Sequence, residues 1–349
     1  MKGKPPRTLY ILLAILIACA LLALMTDSLV TLKLFQDPVI LWKRLIRPLI
    51  RLTLFISIGL FVAQVIEGMG WTNRMAVMAR PFMRWGHLSE QIGAAFTTAF
   101  FSGTTSLSML MSFHKDGSVK QSEVTIAVLL NTFPTFFLHL PTTFFIILPL
   151  VGKAGILYLL LTFGAAVLRL TAVLIYTHFR LTESLGDYPV KVKSEKDWKG
   201  LLEETAKKFR SRLTRMIMII LPVYIIILLI SDMGFFHWIR EIMAEGIRVA
   251  FIPVEAMSVV VFSLVAEFTS GYAAAGAMLE SGALTVSQTV IALLLGNILA
   301  APIRGLRHQM PYYMGIFGPK LGTRLVITSQ AFRITSLVIS GIVFTLIVL

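Results

Sequence analysis

Apolar residues are gathered in long runs along the chain, and short polar segments separate these runs. A transmembrane helix needs about 20 consecutive, predominantly apolar residues. The clearest candidates are 9–25, 48–66, 155–177, 216–231 and 325–349. Two longer runs (122–149 and 288–316) are interrupted by proline, and two others (88–113 and 254–279) contain a Ser-Gly pair. The pattern predicts an all-α, polytopic membrane protein.

Composition agrees with a membrane protein. Of 349 residues, 56% are hydrophobic and 14% are charged, whereas soluble domains carry about 25% charged residues. The formal net charge of +14 would suggest a nucleic-acid partner in a soluble protein. Here the basic residues flank predicted spans, where they set topology, and no basic stretch is interleaved with aromatic residues that could stack on bases. We therefore expect no nucleic-acid partner.

Signatures of catalysis are missing from the sequence. It contains no HExxH or GxSxG motif, no glycine-rich phosphate loop and no acid pair at metal-binding spacing. The single cysteine, Cys19, excludes a disulfide framework or a thiolate metal cluster. His139 and His308 each stand alone in their spans. We expect no enzymatic activity, no cofactor and no resident metal, and leave open whether a coupling ion is a proton or sodium.

Charges between the spans predict the orientation. Residues 180–215 carry ten lysines and arginines, so this loop should be cytoplasmic. Within the loop, 198–213 has the spacing of an interfacial amphipathic helix. Residues 232–287 hold two arginines against six acidic residues, which predicts an external segment. With 9–25 read as a retained first helix, the chain should cross the cytoplasmic (inner) membrane of a prokaryote several times, its N-terminus inside.

The sequence also resembles itself. IEGMGW (66–71) and ISDMGF (230–235) are offset by 164 along the chain (230 − 66), and RLT (169–171) and RIT (333–335) share that offset. FFSG (100–103) matches FTSG (268–271) between them, in the same order. The predicted organisation is an N-terminal helix and linker (1–43), a first repeat (44–179), a basic linker (180–213) and a second repeat (214–349).

Each repeat should cross the membrane three times if its Ser-Gly segment dips in and returns. An odd number of crossings turns the second repeat upside down relative to the first, as in many secondary transporters. Glycine permits the sharp reversal that such a re-entrant hairpin needs. The alternative is that glycine and serine only allow helices to pack closely. On the first reading Ser102-Gly103 and Ser270-Gly271 form equivalent hairpin tips.

Polar residues inside these apolar segments are the candidates for solute contact. Glu267 lies in an apolar run beside a Ser-Gly pair, where a carboxylate is costly and usually functional. Asn131 and Asn297 lie close to prolines in the two broken spans, where freed carbonyls and an amide can bind a polar ligand. The full predicted set is Ser102, Gly103, Thr104, Thr105, Asn131, Glu267, Ser270, Gly271, Asn297, Arg304 and His308.

Cationic residues follow Pro302 and also occur within two spans. Arg304, Arg307 and His308 suggest an anionic solute if they lie at membrane depth, and are ordinary flanking charges if the span ends near residue 302. Arg169 and Arg333 lie at matched positions of their runs. We expect these two arginines to form a structural pair or a gate rather than to contact the solute.

The F-x-S-G hairpins and the Asn-containing broken spans resemble the nucleoside-recognition (gate) family of prokaryotic membrane proteins, over about residues 44–349. The resemblance implies two inverted repeats with re-entrant hairpins. It also implies a permease or secondary transporter in the lipid bilayer for a small polar solute, anionic or nucleoside-like, working by alternating access. The alternatives are translocation of a lipid-linked phosphate, and a non-transporting scaffold or assembly factor like the family's spore-maturation members. Whether the chain forms a homo-oligomer is left open.

Overall fold

The computed structural model describes residues 37–47, 81–180, 253–265 and 268–348, together with individual positions within 49–61 and 213–226. Several predictions concern residues outside this description. They are the first helix at 9–25, most of the amphipathic helix at 198–213, the 232–252 part of the predicted external segment 232–287, and the candidate carboxylate Glu267.

All regular elements in the described ranges are helices. A short helix, Pro38–Leu41, leads into a π-helix at Trp42–Ile46. The main helices are α1 (Glu90–Ala99), α2 (Gly103–Lys115), α3 (Gln121–Leu130), α4 (Thr132–Val151), α5 (Lys153–Arg180), α6 (Val254–Val265), α7 (Phe268–Glu280), α8 (Val286–Arg304), α9 (Met310–Phe317) and α10 (Pro319–Val348). A second π-helix, Gly305–Gln309, joins α8 to α9.

Four helical stretches in the described part are long and apolar enough to cross a membrane: Gln121–Val151, Lys153–Arg180, Val286–Phe317 and Pro319–Val348. For the described part of the chain, this confirms the prediction of a helical protein with several apolar segments long enough to span a membrane. The stretches are 31, 28, 32 and 30 residues long, so a straight helix of this length would extend about 42–48 Å. That exceeds the hydrocarbon core of about 30 Å.

Both predicted broken spans are irregular near their prolines. Pro134 has no N–H to donate to the Leu130 carbonyl, and the regular helix is interrupted at Asn131, between α3 and α4. Pro302 lies inside α8, and the π-helix follows within three residues. A missing backbone donor thus accompanies each interruption.

Two helix–turn–helix segments share their backbone geometry. α2 and α7 are both 13 residues long, and the starts of α2/α7 and of α3/α8 are each offset by 165 (268 − 103 and 286 − 121). In both turns a glycine has a positive φ, 75° at Gly117 and 76° at Gly282. The Val119 N–H donates to the Phe113 carbonyl and the Leu284 N–H to the Met278 carbonyl, both over 3.2 Å. The local structure therefore recurs at an offset of 165.

This offset differs from that of the matched Ser-Gly pairs, which is 168 (270 − 102). In the register set by the helices, Ser106 corresponds to Gly271 and Asn131 to Gly296. The helices therefore do not place Ser102-Gly103 and Ser270-Gly271 at equivalent positions, contrary to the sequence match. We use the offset of 165 given by the helices to compare the two segments. A motif as short as Ser-Gly can occur on different turns of two related helices, so its offset of 168 is a weaker guide.

The described residues belong to two compact units. Among the described residues, unit 1 includes 144–158, 253–265 and 268–300, and unit 2 includes 81–143, 159–180 and 301–348. Unit 1 contains α6, α7 and most of α8. Unit 2 contains α1–α3, most of α5, and α9–α10, and its buried core includes Phe96, Phe100, Leu110 and Leu130. The predicted repeats at 44–179 and 214–349 stay a prediction, because a compact unit and a sequence repeat are different properties.

Candidate functional site

The first Ser-Gly pair lies at the break between α1 and α2. Ser102 caps α2, and its Oγ accepts a hydrogen bond from the Thr105 N–H over 3.2 Å. Thr105 Oγ1 donates to the same Oγ over 2.8 Å, and Thr104 Oγ1 lies 3.2 Å from it. A side chain added at Gly103 would meet nothing within 4 Å. Three hydroxyl groups and an open glycine therefore lie together at this break, and their role as the tip of a re-entrant hairpin stays a prediction.

One turn into α2, Ser106 connects this hairpin to α3. Ser106 is fully buried, and its Oγ donates to the Ala95 carbonyl of α1 over 2.6 Å. Asn131 Nδ2 in turn donates to Ser106 Oγ over 2.8 Å. A hydroxyl has a single proton, and the proton of Ser106 is used on Ala95. Ser106 can therefore only accept from Asn131, which defines the orientation of the Asn131 amide.

This orientation leaves the amide oxygen of Asn131 as an acceptor. Asn131 is 6% exposed, and its Oδ1 is buried with no hydrogen-bond partner among the described residues. Leaving a buried acceptor unsatisfied costs about 1–3 kcal/mol. A hydroxyl, an amide N–H, a water molecule or a cation would each satisfy it. Asn131 is thus a buried group that is set up to receive a donor.

Helix lengths give the depth of this contact. α3 begins at Gln121 and ends just before Asn131, which corresponds to about 15 Å along the helix. If α3 begins at the membrane surface, Asn131 lies near the middle of a hydrocarbon core of about 30 Å. At 13 residues, α2 extends only about 20 Å. Both Ser106 and Asn131 then belong to the interior of the membrane.

The second Ser-Gly pair has a different role. Ser270 and Gly271 are the third and fourth residues of α7, whereas Ser102 precedes α2 as its cap, and Ser270 Oγ donates to the Phe262 carbonyl over 3.0 Å. A Cβ on Gly271 would overlap Ser263 Oγ, and a Cβ on Gly296 would lie 2.6 Å from the same atom. These two glycines allow α6, α7 and α8 to approach closely. Close packing, the alternative considered for the Ser-Gly pairs, therefore describes Gly271.

Asn297 also differs from its predicted counterpart. It is buried, and its Nδ2 donates to Tyr158 Oη over 2.9 Å. The ring of Tyr158 packs edge-on against Tyr272, with centroids 5.9 Å apart. Asn131 and Asn297 are offset by 166 (297 − 131). This is one residue more than the offset of 165 that relates the helices, so Asn131 corresponds to Gly296 and not to Asn297. The two asparagines therefore have different partners in different units.

The two hairpins can be compared directly in the helix register. Thr98 Oγ1 donates to the Ala94 carbonyl over 2.8 Å, and Ser263 Oγ, at the corresponding position, donates to the Val259 carbonyl over 2.7 Å. The neighbouring positions differ. Ser106 and Asn131, which are hydrogen-bonded in unit 2, correspond to Gly271 and Gly296 in unit 1. The described part of unit 2 thus has a polar contact where unit 1 has two glycines.

The remaining predicted cations lie elsewhere on the helices. Arg304 is the last residue of α8 and is partly buried, whereas Arg307 and His308 are exposed in the π-helix that follows. From Val286 to Arg304, α8 extends about 27 Å along its axis. If α8 begins at one membrane surface, these residues therefore lie toward the opposite surface.

Arg169 and Arg333 come together in unit 2. Arg169 is 6% exposed, and its guanidinium donates through Nη1 to Ser336 Oγ over 2.6 Å. The Arg169 Nε is buried without a hydrogen-bond partner in the described part of the chain. Arg333 acts on Arg169 as a neighbouring like charge. Arg169 and Arg333 thus share one serine, whose hydroxyl accepts from Arg169 and donates to the Arg333 carbonyl.

Three of these partners were not predicted from the sequence. Ser106 follows Ser102 by four residues and Ser336 follows Arg333 by three, so helical spacing places each on the face of a predicted residue. Helical spacing from the predicted residues could therefore have identified both Ser106 and Ser336. Tyr158 lies 139 residues from Asn297, and no local pattern points to it.

No family model matches the chain, and no solved structure matches it. It is similar to three proteins of Methanocaldococcus jannaschii that are described only as uncharacterized. MJ1556 is 29% identical over 283 residues, covering 79% of this chain and 88% of that protein. MJ0871 is 25% identical with 81% and 88% coverage, and MJ0880 is 24% identical with 82% and 94% coverage. The similarity therefore extends over most of each protein.

Proposed function

We propose that the protein is a membrane permease for a small polar solute, anionic or nucleoside-like, which works by alternating access around its helical hairpins. The observation that carries the proposal is the buried contact between Ser106 and Asn131. Its free acceptor, Asn131 Oδ1, lies beside a helix interruption. Irregular backbone at membrane depth is tolerated where protein surrounds it or where it lines a water-filled cavity.

Helix length supports a re-entrant hairpin. α1 and α2 have 10 and 13 residues, or about 15 and 20 Å, and neither spans a core of about 30 Å. The hairpin would then enter and leave on the same side, with its hydroxyl-bearing tip inside the membrane. The recurrence of the α2–α3 turn in α7–α8 supports a second copy of the same element.

The chemistry of the contact favours a solute that donates hydrogen bonds. Asn131 Oδ1 is an acceptor, and the Ser102, Thr104 and Thr105 hydroxyls can donate or accept. Sugar hydroxyls and the N–H groups of a nucleobase provide matching donors, which agrees with the resemblance to the nucleoside-recognition family. The corresponding glycines of unit 1, Gly271 and Gly296, lack such groups.

Accessibility of the tip tests alternating access without knowledge of the solute. In a Cys19→Ser background, Thr104→Cys places a thiol at the exposed tip. A membrane-impermeant maleimide is then applied to right-side-out and inside-out vesicles. We expect Thr104→Cys to react in both preparations, because the tip faces each side in turn. Asp116→Cys, in the α2–α3 turn, should react in one preparation only, and Leu160→Cys, on an exposed apolar face of α5, in neither.

Each outcome has a clear consequence. Reaction of Thr104→Cys from a single side would contradict alternating access, and lack of reaction from both sides would favour a non-transporting scaffold. Reaction from both sides would support the proposal only if Asp116→Cys stays one-sided, because a leaky vesicle preparation would label both positions.

A further inference from the structure

A short helical segment, residues 37–47, directly precedes the apolar run 48–66 that we predict to cross the membrane. The Asp37 carboxylate caps its start by accepting hydrogen bonds from the Val39 and Ile40 N–H groups over 2.8 and 3.4 Å. Aspartate is a favourable residue at this position of a helix. The cap uses the one acidic residue in the sequence of the segment, and the other charged residues there are three cations, Lys43, Arg44 and Arg47.

Exposed apolar side chains form a stripe along this helix and continue into the predicted span. The stripe consists of Val39, Trp42, Ile50, Leu54 and Ile58, which are 48–63% exposed. Spacings of three, four and eight residues place these side chains on one side of a helix. The segment before the span therefore presents the same apolar side as the span itself.

Two exposed cations accompany the stripe at its start. Lys43 and Arg47 are exposed, and their spacing of four residues places both on one side of the helix. In the predicted topology the chain crosses the membrane once at 9–25, so this segment lies on the external side. Cations that set topology lie in cytoplasmic segments. Topology therefore does not account for Lys43 and Arg47.

We propose that residues 39–47 bind the headgroups of anionic phospholipids. The amphipathic ring of tryptophan favours the boundary between acyl chains and headgroups, and Trp42 lies where the apolar stripe meets the cations. Lysine and arginine keep their stems on apolar surface and extend their charge to the headgroups. Because the stripe is continuous with that of the predicted span, the occupant is lipid. The inference is independent of transport.

Quenching of Trp42 fluorescence by brominated lipids provides the test. The full-length protein is placed in nanodiscs of phosphatidylcholine and phosphatidylglycerol, with bromine on the acyl chains of one lipid at a time. The chain has five tryptophans, so the difference between the wild type and Trp42→Phe isolates the Trp42 signal. We expect phosphatidylglycerol to be enriched about fivefold over phosphatidylcholine beside Trp42, because one cation near an anionic membrane surface contributes a factor of about five to binding.

Charge variants show whether the cations cause this preference. It should disappear in Lys43→Gln/Arg47→Gln and remain in Lys43→Arg/Arg47→Lys, which keeps both charges. Lys320→Gln/Arg324→Gln is the matched control, because it removes an exposed lysine and arginine, also four residues apart, from the start of α10. Its Trp42 signal should equal that of the wild type.

Three results would overturn the proposal. The first is quenching of wild-type Trp42 without a preference between the two lipids. The second is a preference that survives the loss of both charges. The third is absence of quenching by either lipid, which would show that protein covers Trp42. Should Lys43→Gln/Arg47→Gln fail to fold, the single variants Lys43→Gln and Arg47→Gln decide, and each should lower the preference.

Discussion

Replacing Asn131 by leucine separates a solute-binding role from a structural one. The substitution keeps the branched shape and the number of side-chain heavy atoms, and it removes both the hydrogen bond to Ser106 and the Oδ1 acceptor, which has no partner among the described residues. Ser106 keeps its own hydrogen bond to the Ala95 carbonyl. The change therefore removes polar groups from a buried contact without removing the contact between the helices.

The structure predicts opposing contributions to stability. Loss of the Asn131–Ser106 hydrogen bond costs about 0.5–1.5 kcal/mol, and removal of an unsatisfied buried acceptor returns about 1–3 kcal/mol. Asn131→Leu should therefore be as stable as the wild type or slightly more stable. Asn297→Leu is the matched control. Asn297 donates to Tyr158 Oη, so its loss leaves a buried hydroxyl without that donor and should cost about 1–2 kcal/mol.

The assay combines thermal unfolding in detergent with uptake of radiolabelled uridine and adenosine by proteoliposomes. One kcal/mol shifts Tm by about 2–4 °C in a large domain, so Asn131→Leu should melt within that range of the wild type or above it. Uptake should fall about tenfold, which corresponds to a lost interaction of about 1.4 kcal/mol. A drop in Tm of more than about 10 °C would show that Asn131 is structural. Unchanged uptake by a folded variant would remove Asn131 from the solute path.

Two further predictions concern packing and topology. Gly271→Ala should destabilise the protein by about 1–3 kcal/mol through overlap with Ser263, whereas Gly103→Ala, which meets open space, should be neutral or stabilising by up to about 1 kcal/mol. Thermal melts of both variants check this, and equal losses of stability would refute the packing argument. Lys196→Cys in the Cys19→Ser background should react with an impermeant maleimide only in inside-out vesicles. Its reaction in intact cells would reverse the predicted orientation.

Local features of the sequence were sufficient to predict the class of protein and the approximate positions of several helix interruptions. Hydropathy is a property of consecutive residues, so the four long apolar helices could be predicted from composition and length. Pro134 lacks a backbone donor, and the helix is interrupted three residues before it, at Asn131, whereas α4 continues through Pro141 and Pro149. Ser102 is a favourable helix cap, and the break at Ser102-Gly103 agrees with it.

Tertiary structure alone decided what each polar or small residue contacts. The two Ser-Gly pairs look alike in sequence, yet Gly103 faces open space and Gly271 packs against Ser263. Neighbouring helices produce that difference, and the register that relates α2–α3 to α7–α8 is not visible in a four-residue motif. The same holds for Asn131 and Asn297, since one donates to a serine 25 residues away and the other to a tyrosine 139 residues away. Hydrogen-bond partners depend on which helix faces meet, and helix faces meet through packing over long sequence separations.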